Sequence, residues 1–161
     1  MKAITVWRPW PTMIVLGEKT IESRTHDKFK WIAGHQLAIH AGKRYDRESF
    51  EFLIEEAGYS PLRSLLIESA CPRGAIVAVC HVPTAGWLHH KLAAWRLGWD
   101  YSREESCSPG ELFGLFLEDV RALKEPVPAR GSQGIWEWTP PVGWSVERDT
   151  IPVKKQEARE G

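Results

Sequence analysis

The residues with the most chemical potential lie close together in Gly17-Glu18-Lys19-Thr20-Ile21-Glu22-Ser23-Arg24. Side chains alternate faces along an extended chain. A strand over residues 20–25 therefore turns Thr20, Glu22 and Arg24 one way and Ile21 and Ser23 the other. Lys19 enters from the turn that feeds this strand. Two cations and a carboxylate then sit at one strand mouth, beside the aromatic run Trp7-Arg8-Pro9-Trp10-Pro11. Such a set suits a planar, phosphate-bearing ligand. In a partly closed cleft Lys19 can act as a base or hold phosphate, and Glu22 can keep it charged or orient a water. Arg24 offers a planar fork to a phosphate or a base edge. A solvated Glu22–Arg24 ion pair has the same spacing and contributes little.

Other positions extend this candidate site. Trp10 can stack on a base, or pin the first helix to the core. Trp7, inside the first strand, is expected in the core, and Arg8 adds to the cationic face. His40 follows an apolar strand and serves either as a group at the site or as a hydrogen-bonded structural residue. Lys43, Arg44 and Arg47 are candidate phosphate contacts or ordinary surface. In Arg130-Gly131-Ser132-Gln133-Gly134, Gln133 can read a base edge and the backbone N–H groups can hold an oxyanion, although a plain hairpin loop fits as well. His81, His89 and His90 have no ligand spacing, so no metal or other cofactor is expected.

The elements that must position these groups can be read from pattern. Ala3–Trp7 reads as a buried strand, and Pro9 and Pro11 open a short helix that stops at Gly17. Residues 25–34 read as loop and Gln36–His40 as a strand. Asp46 caps a helix carrying Phe50, Leu53, Ile54 and Ala57, and Ser60-Pro61 opens another with Leu62, Leu65 and Leu66. Ala75–Val82 is a strongly apolar strand, and Leu115–Val120 another. Pro126 and Pro128 read as a turn before the closing strand at Gly134–Trp138. Residues 84–112, with Trp87, Trp95 and Trp99, look like an insertion. The expected organisation is one domain over 1–140 and a tail over 141–161. Short strands with two or three helices imply an α+β domain built on a small curled β-barrel.

Composition bounds the function. The 161 residues carry 21 Lys/Arg and 21 Asp/Glu, so the chain has no global charge. Residues 1–44 hold eight Lys/Arg against three Asp/Glu, and residues 45–125 hold eight against thirteen, which permits a local positive face. Three cysteines without C-x-x-C spacing point to a reducing compartment, and no apolar run has the length of a membrane span or a secretion signal. A cytoplasmic location is expected. The sequence has no Gly-x-Ser-x-Gly elbow, Walker loop or dinucleotide fingerprint, so hydride transfer, NTP hydrolysis and α/β-hydrolase chemistry lack support.

Gly17-x-Lys19-x-x-Glu22-x-Arg24, after a Trp-Pro-rich turn, resembles the signature of the ASCH domain family, a PUA-like group. Leu37–Arg44, Gly74–Ala78 and Gly134–Trp138 extend the resemblance in order over roughly residues 2–138. It implies a small β-barrel with flanking helices and a cleft for RNA or nucleotides. Some members process RNA or deacylate nucleosides. The amidohydrolase members place a threonine three residues after the motif lysine; here that position is Glu22, and Thr20 does not match it. The leading expectation is an RNA- or nucleotide-binding module whose ligand contacts are Arg8, Trp10, Lys19, Glu22, Arg24, His40, Lys43, Arg130 and Gln133. The alternative on the same cleft is a hydrolase, either N4-acylcytidine amidohydrolase-like or a ribonuclease, with Lys19 and Glu22 as catalytic pair. The third is a protein-interaction domain that docks a partner on the Trp87–Trp99 insertion.

Overall fold

The computed structural model describes residues 1–88 and 112–147. Eight strands and three short helices follow in the order β1 (Lys2–Arg8), α1 (Trp10–Val15), β2 (Ile21–Arg24), β3 (His35–Tyr45), α2 (Arg47–Glu55), α3 (Arg63–Leu66), β4 (Ala75–Val82), β5 (Ala85–Trp87), β6 (Phe113–Phe116), β7 (Glu118–Pro128) and β8 (Ile135–Glu137). They form a five-stranded sheet, β7-β4-β3-β1-β8, and a three-stranded sheet, β2-β6-β5. Only β1 and β3 run parallel; the other pairs are antiparallel. The fold is thus mixed α+β and mostly strand. Its described ladders make two open sheets, not the closed barrel expected from the sequence, because β7 and β8 end the larger sheet without pairing with each other.

The core lies between the two sheets. Ile4 and Val6 of β1, Ile39 and Ala41 of β3 and Val77 of β4 pack against Phe113 and Leu115 of β6 in one buried cluster. Alternation sends the intervening residues of the larger sheet to its other face, where Ala3, Ala38, Ile76 and Val79 meet Leu123 and Trp138. Strands buried on both faces read as continuous apolar runs, which is the pattern of Ala75–Val82. Trp144 and Val146 cover this second face, and Val146 bridges to Leu123, so the chain is packed as far as Glu147. The helices have a cluster of their own, in which Met13 of α1 packs on Leu53 and Ile54 of α2 and Leu66 of α3. Asp46 caps α2 by accepting from the Ser49 N–H at 3.2 Å.

Several expected boundaries shift. The loop over 25–34 contains a 3-10 turn at Lys30–Ile32 that buries Ile32. The second helix is a single α turn behind a 3-10 turn, and Leu65 is exposed. Pro126 and Pro128 belong to β7, not to a turn: β7 is an edge strand, where a missing N–H removes no ladder bond. Of the insertion near 84–112, only Thr84, β5, Leu88 and Leu112 fall within the described residues; His89, His90, Trp95 and Trp99 lie outside them. No helix among the described residues is long and apolar enough to cross a membrane.

Trp7, expected in the core, is 47% exposed, and Arg8, expected on the cationic face, is 2% exposed. Alternation along β1 puts Arg8 on the buried face of Ile4 and Val6 and Trp7 on the face of Thr5, and the β1–β3 register breaks beside them. Val6 pairs with Ala41 and Arg8 with Tyr45, so Gly42, Lys43 and Arg44 together bulge opposite Trp7. Arg8 clamps this bulge from inside. Its guanidinium donates to Gly42 O at 3.1 Å, Lys43 O at 2.7 Å and Glu68 O at 3.1 Å. Gly42 fits closely here, since a Cβ would lie 3.1 Å from Thr5 Cγ2 and 3.2 Å from Val6 O and would push those neighbours aside slightly. Arg8→Ala should therefore cost about 3 kcal/mol, since it strands the buried Gly42 carbonyl and removes the donor to two part-buried ones. Glu68→Ala should change stability little, because that carboxylate is exposed. Urea midpoints of the two variants would check the contrast.

Candidate functional site

β2 presents Glu22 and Arg24 on one face, and the turn after α1 delivers Lys19 beside them. The Gly17 φ of +74° lets the chain reverse there, with Glu18 and Lys19 N–H groups donating to Met13 O at 3.0 and 3.1 Å. Lys19 Nζ lies 3.4 Å from Glu22 Oε2, and Arg24 lies 3.3 Å from Glu22 Oε1. The three charges thus converge, but not as a solvated surface pair: Lys19 and Glu22 are both buried. Lys19 Nζ also donates to Ile21 O at 2.6 Å and lies 5.5 Å from the Trp10 ring centroid. Burial pushes the Lys19 pKa below its usual range, against the opposing pull of Glu22. Arg24 reaches from β2 to β1 and donates to Thr5 O at 3.3 Å, tying the two sheets together.

Arg24 is also part of the wall of a cleft of about 1320 Å³. The opposite wall is the loop from Pro128 to Gly134. Thr5 and His40 form the floor, with Trp7, Lys43 and Phe29 around them. Among the described residues, the lining holds Arg24, Lys43 and Arg130 and no carboxylate. His40, Lys43, Arg130 and Gln133 therefore share the cleft with Arg24. Lys19 and Glu22 stand behind Arg24 and outside the lining, and Trp10 is half-buried between the core and the helix cluster. Arg8 is committed to the bulge. Sequence reasoning missed Trp7, His26, Phe29 and Thr5. The side chain of His26 packs edge-on to Phe29, with ring centroids 4.9 Å apart. Arg24 Nε and His26 Nδ1, both in cleft-wall residues, are buried without a hydrogen-bond partner.

Thr5 organises the floor. Its hydroxyl lies 2.9 Å from Ser132 O, 3.2 Å from His40 Nδ1 and 3.2 Å from Trp136 Nε1, which donates to it. His40 Nε2 lies 3.1 Å from Ala129 O. A carbonyl can only accept, so Nε2 carries the proton and Nδ1 faces Thr5. His40 thus ties the floor to the start of the loop through its hydrogen bonds. Gly131 packs so closely on this ring that a Cβ would come within 2.3 Å of His40 Cε1. No three His, Cys, Asp or Glu side chains gather into a metal-binding group among the described residues.

No family model matches the sequence, and no curated protein matches it. Among solved structures, the chain resembles the ASCH protein of Zymomonas mobilis at 11% identity and a TM-score of 0.50, over 79% of this chain and 72% of that one. A serine-to-alanine variant of the same Zymomonas mobilis protein matches at 12% identity and a TM-score of 0.50, over 93% and 89%. This chain has the ASCH-domain fold. The motif strand β2 lies in the smaller sheet of that fold, and the cleft opens where it faces β1.

Two outcomes test this geometry. Glu22→Ala strands two cations, one of them fully enclosed, and should cost about 3–5 kcal/mol in urea unfolding. Burial lowers the His40 pKa below the ordinary 6.5. The unfolded chain therefore binds a proton that the folded chain resists, and stability falls as the pH drops through 6.5. His40→Gln should flatten the loss between pH 7 and pH 5, by at most about 1.4 kcal/mol per pH unit.

Proposed function

We propose that this ASCH-fold domain binds single-stranded RNA or a nucleotide in the cleft between β2, β1 and the loop over 128–134. The observation that carries the reading is the lining, which among the described residues holds three cations, no carboxylate, Trp7 and Phe29 in one concavity. Phosphates need the first, and bases need aromatic faces. The net charge of zero makes this local separation informative, since the chain as a whole has no surplus of positive charge. The volume exceeds the roughly 300–1,000 Å³ of most small-molecule pockets, which favours a short strand over one free nucleotide. Splayed bases of single-stranded RNA can enter such a cleft, whereas a duplex hides them.

In this reading Arg24, Lys43 and Arg130 take phosphate, and Gln133 offers an amide to a base edge. Glu22 acts from behind by holding Arg24, and His40 acts by holding the floor and loop. The hydrolase alternative draws support from the lowered pKa of Lys19, which favours a neutral amine able to accept a proton. Lys19 and Glu22 are enclosed and do not line the cleft, so recognition is the reading that the geometry favours.

Binding of a labelled single-stranded RNA should weaken with salt, and each lost phosphate contact should reduce the slope of log K against log salt by about 0.7. Lys43→Ala and Arg130→Ala are each expected to show that reduction in anisotropy titrations. An unchanged slope in both would remove the cleft as the phosphate site. RNA turned into shorter or deacylated product by wild-type protein, and not by Lys19→Ala, would move the assignment to hydrolysis.

A further inference from the structure

The bulge opposite Trp7 has a consequence for the ligand. Two steps along β1, from Val6 to Arg8, match four steps along β3, from Ala41 to Tyr45. The surplus backbone carries Gly42 and Lys43 into the cleft wall. Arg44 takes no part in that wall; its guanidinium carbon lies 3.6 Å from the centroid of the Trp7 ring. The ring is thus backed by a planar cation while its residue lines the cleft. A Trp that keeps 47% of its surface exposed, in a lining that among the described residues holds Lys43 and no carboxylate, leaves a large aromatic area for a ligand to cover. Trp31 and Trp87, the other large exposed tryptophans among the described residues, lie outside the cleft lining. Trp10, the platform expected from the sequence, is also outside it.

We propose that Trp7 is the base-stacking platform of the cleft, and that Arg44 is a positioning residue that fixes the ring by stacking on the face away from the ligand. The proposal rests on the single-stranded RNA reading above and adds a base subsite to it. The base lies flat on the indole, and the phosphate beside that base meets Lys43, the neighbour of Arg44 on the same bulge. Arg suits the backing role because its flat guanidinium can lie parallel to the ring, whereas an ammonium is a compact, hydrated point charge. Stacking on an aromatic face tolerates any base, so this subsite gives affinity without reading sequence.

The test uses the full chain and two labelled strands of equal length, a uridine oligonucleotide and an abasic sugar-phosphate strand, at one salt concentration. Wild type should bind the uridine strand more tightly. Trp7→Ala should weaken the uridine strand by about 5- to 150-fold and bring the two strands close together, because stacking is what distinguishes them. Trp7→Phe should keep most of the preference. Arg44→Lys keeps the charge and loses the flat backing, so it should narrow the preference while abasic binding changes little. Thermal unfolding of each variant shows whether it folds, and Trp7→Phe and Arg44→Lys carry the test if Trp7→Ala does not. Equal losses for both strands in the Trp7 variants would overturn the stacking assignment while leaving phosphate binding in the cleft intact. Failure of wild type to bind either strand would overturn the RNA reading, and the base subsite with it.

Discussion

The Glu22 carboxylate, enclosed between Lys19 and Arg24, is the contact on which the arrangement of the cleft depends. Taking a carboxylate out of water costs several kcal/mol, and it is tolerable only with charged partners in good geometry. Glu22 has two, one on each oxygen. One partner is anchored to the start of β2 through Ile21 O, and the other crosses to β1 through Thr5 O. The triad therefore joins the smaller sheet to the larger at the cleft. Beyond Thr5 the same chain of contacts runs to Ser132, His40 and Ala129, so the loop that forms the opposite wall is tied to the floor. A charge buried in β2 thus holds an arginine of the cleft lining against β1.

Two arginines show how burial decides what a cation can do. Arg8 spends its donors on three backbone carbonyls and faces the exposed Glu68 as well; it shapes the bulge and has little left to offer a ligand. Arg24 is partly exposed, has one terminal nitrogen shared between Glu22 and Thr5, and keeps Nε without a partner. The first arginine makes a surface by holding backbone in an irregular path. The second is part of the surface. Lys43 and Arg44 owe their positions to the first: without the bulge, alternation along β3 would not bring three successive residues opposite Trp7.

Much of this was legible in the sequence, for identifiable reasons. Ala75–Val82 was readable as a strand because both of its faces are buried and its apolar run is unbroken. Alternation plus a glycine turn, both local properties, put Lys19, Glu22 and Arg24 near one strand mouth, but that their charges meet in space is a property of the fold and not of the local pattern. The roles of Trp7, Arg8 and Trp10 were not legible. Trp7 and Arg8 sit beside a register break between strands more than thirty residues apart in sequence, and Trp10 packs between the core and the helix cluster; no local pattern signals either. The prolines of β7 misled for a similar reason. Whether a proline interrupts a strand depends on whether that strand is an edge, which is a property of the whole sheet. The order of the ladders, and hence two open sheets in place of a closed barrel, also lies beyond local pattern.

The position of the triad bears on what it contributes to binding. An isolated surface arginine loses much side-chain freedom when it takes a ligand, and that loss subtracts from affinity. Arg24 has already given up much of it, because Glu22 and Thr5 O hold its guanidinium from two directions. Lys19 reinforces this by holding the other Glu22 oxygen at 3.4 Å, although its own burial works against its charge. The enclosed pair thus has a physical role that needs no reaction: it holds a cation at the wall of a wide cleft. The same logic covers Arg44 behind Trp7, where a flat cation fixes an aromatic ring. In both cases a charged group that does not line the cleft, or is shielded within its wall, restrains one that does, and affinity comes from restraint as much as from contact.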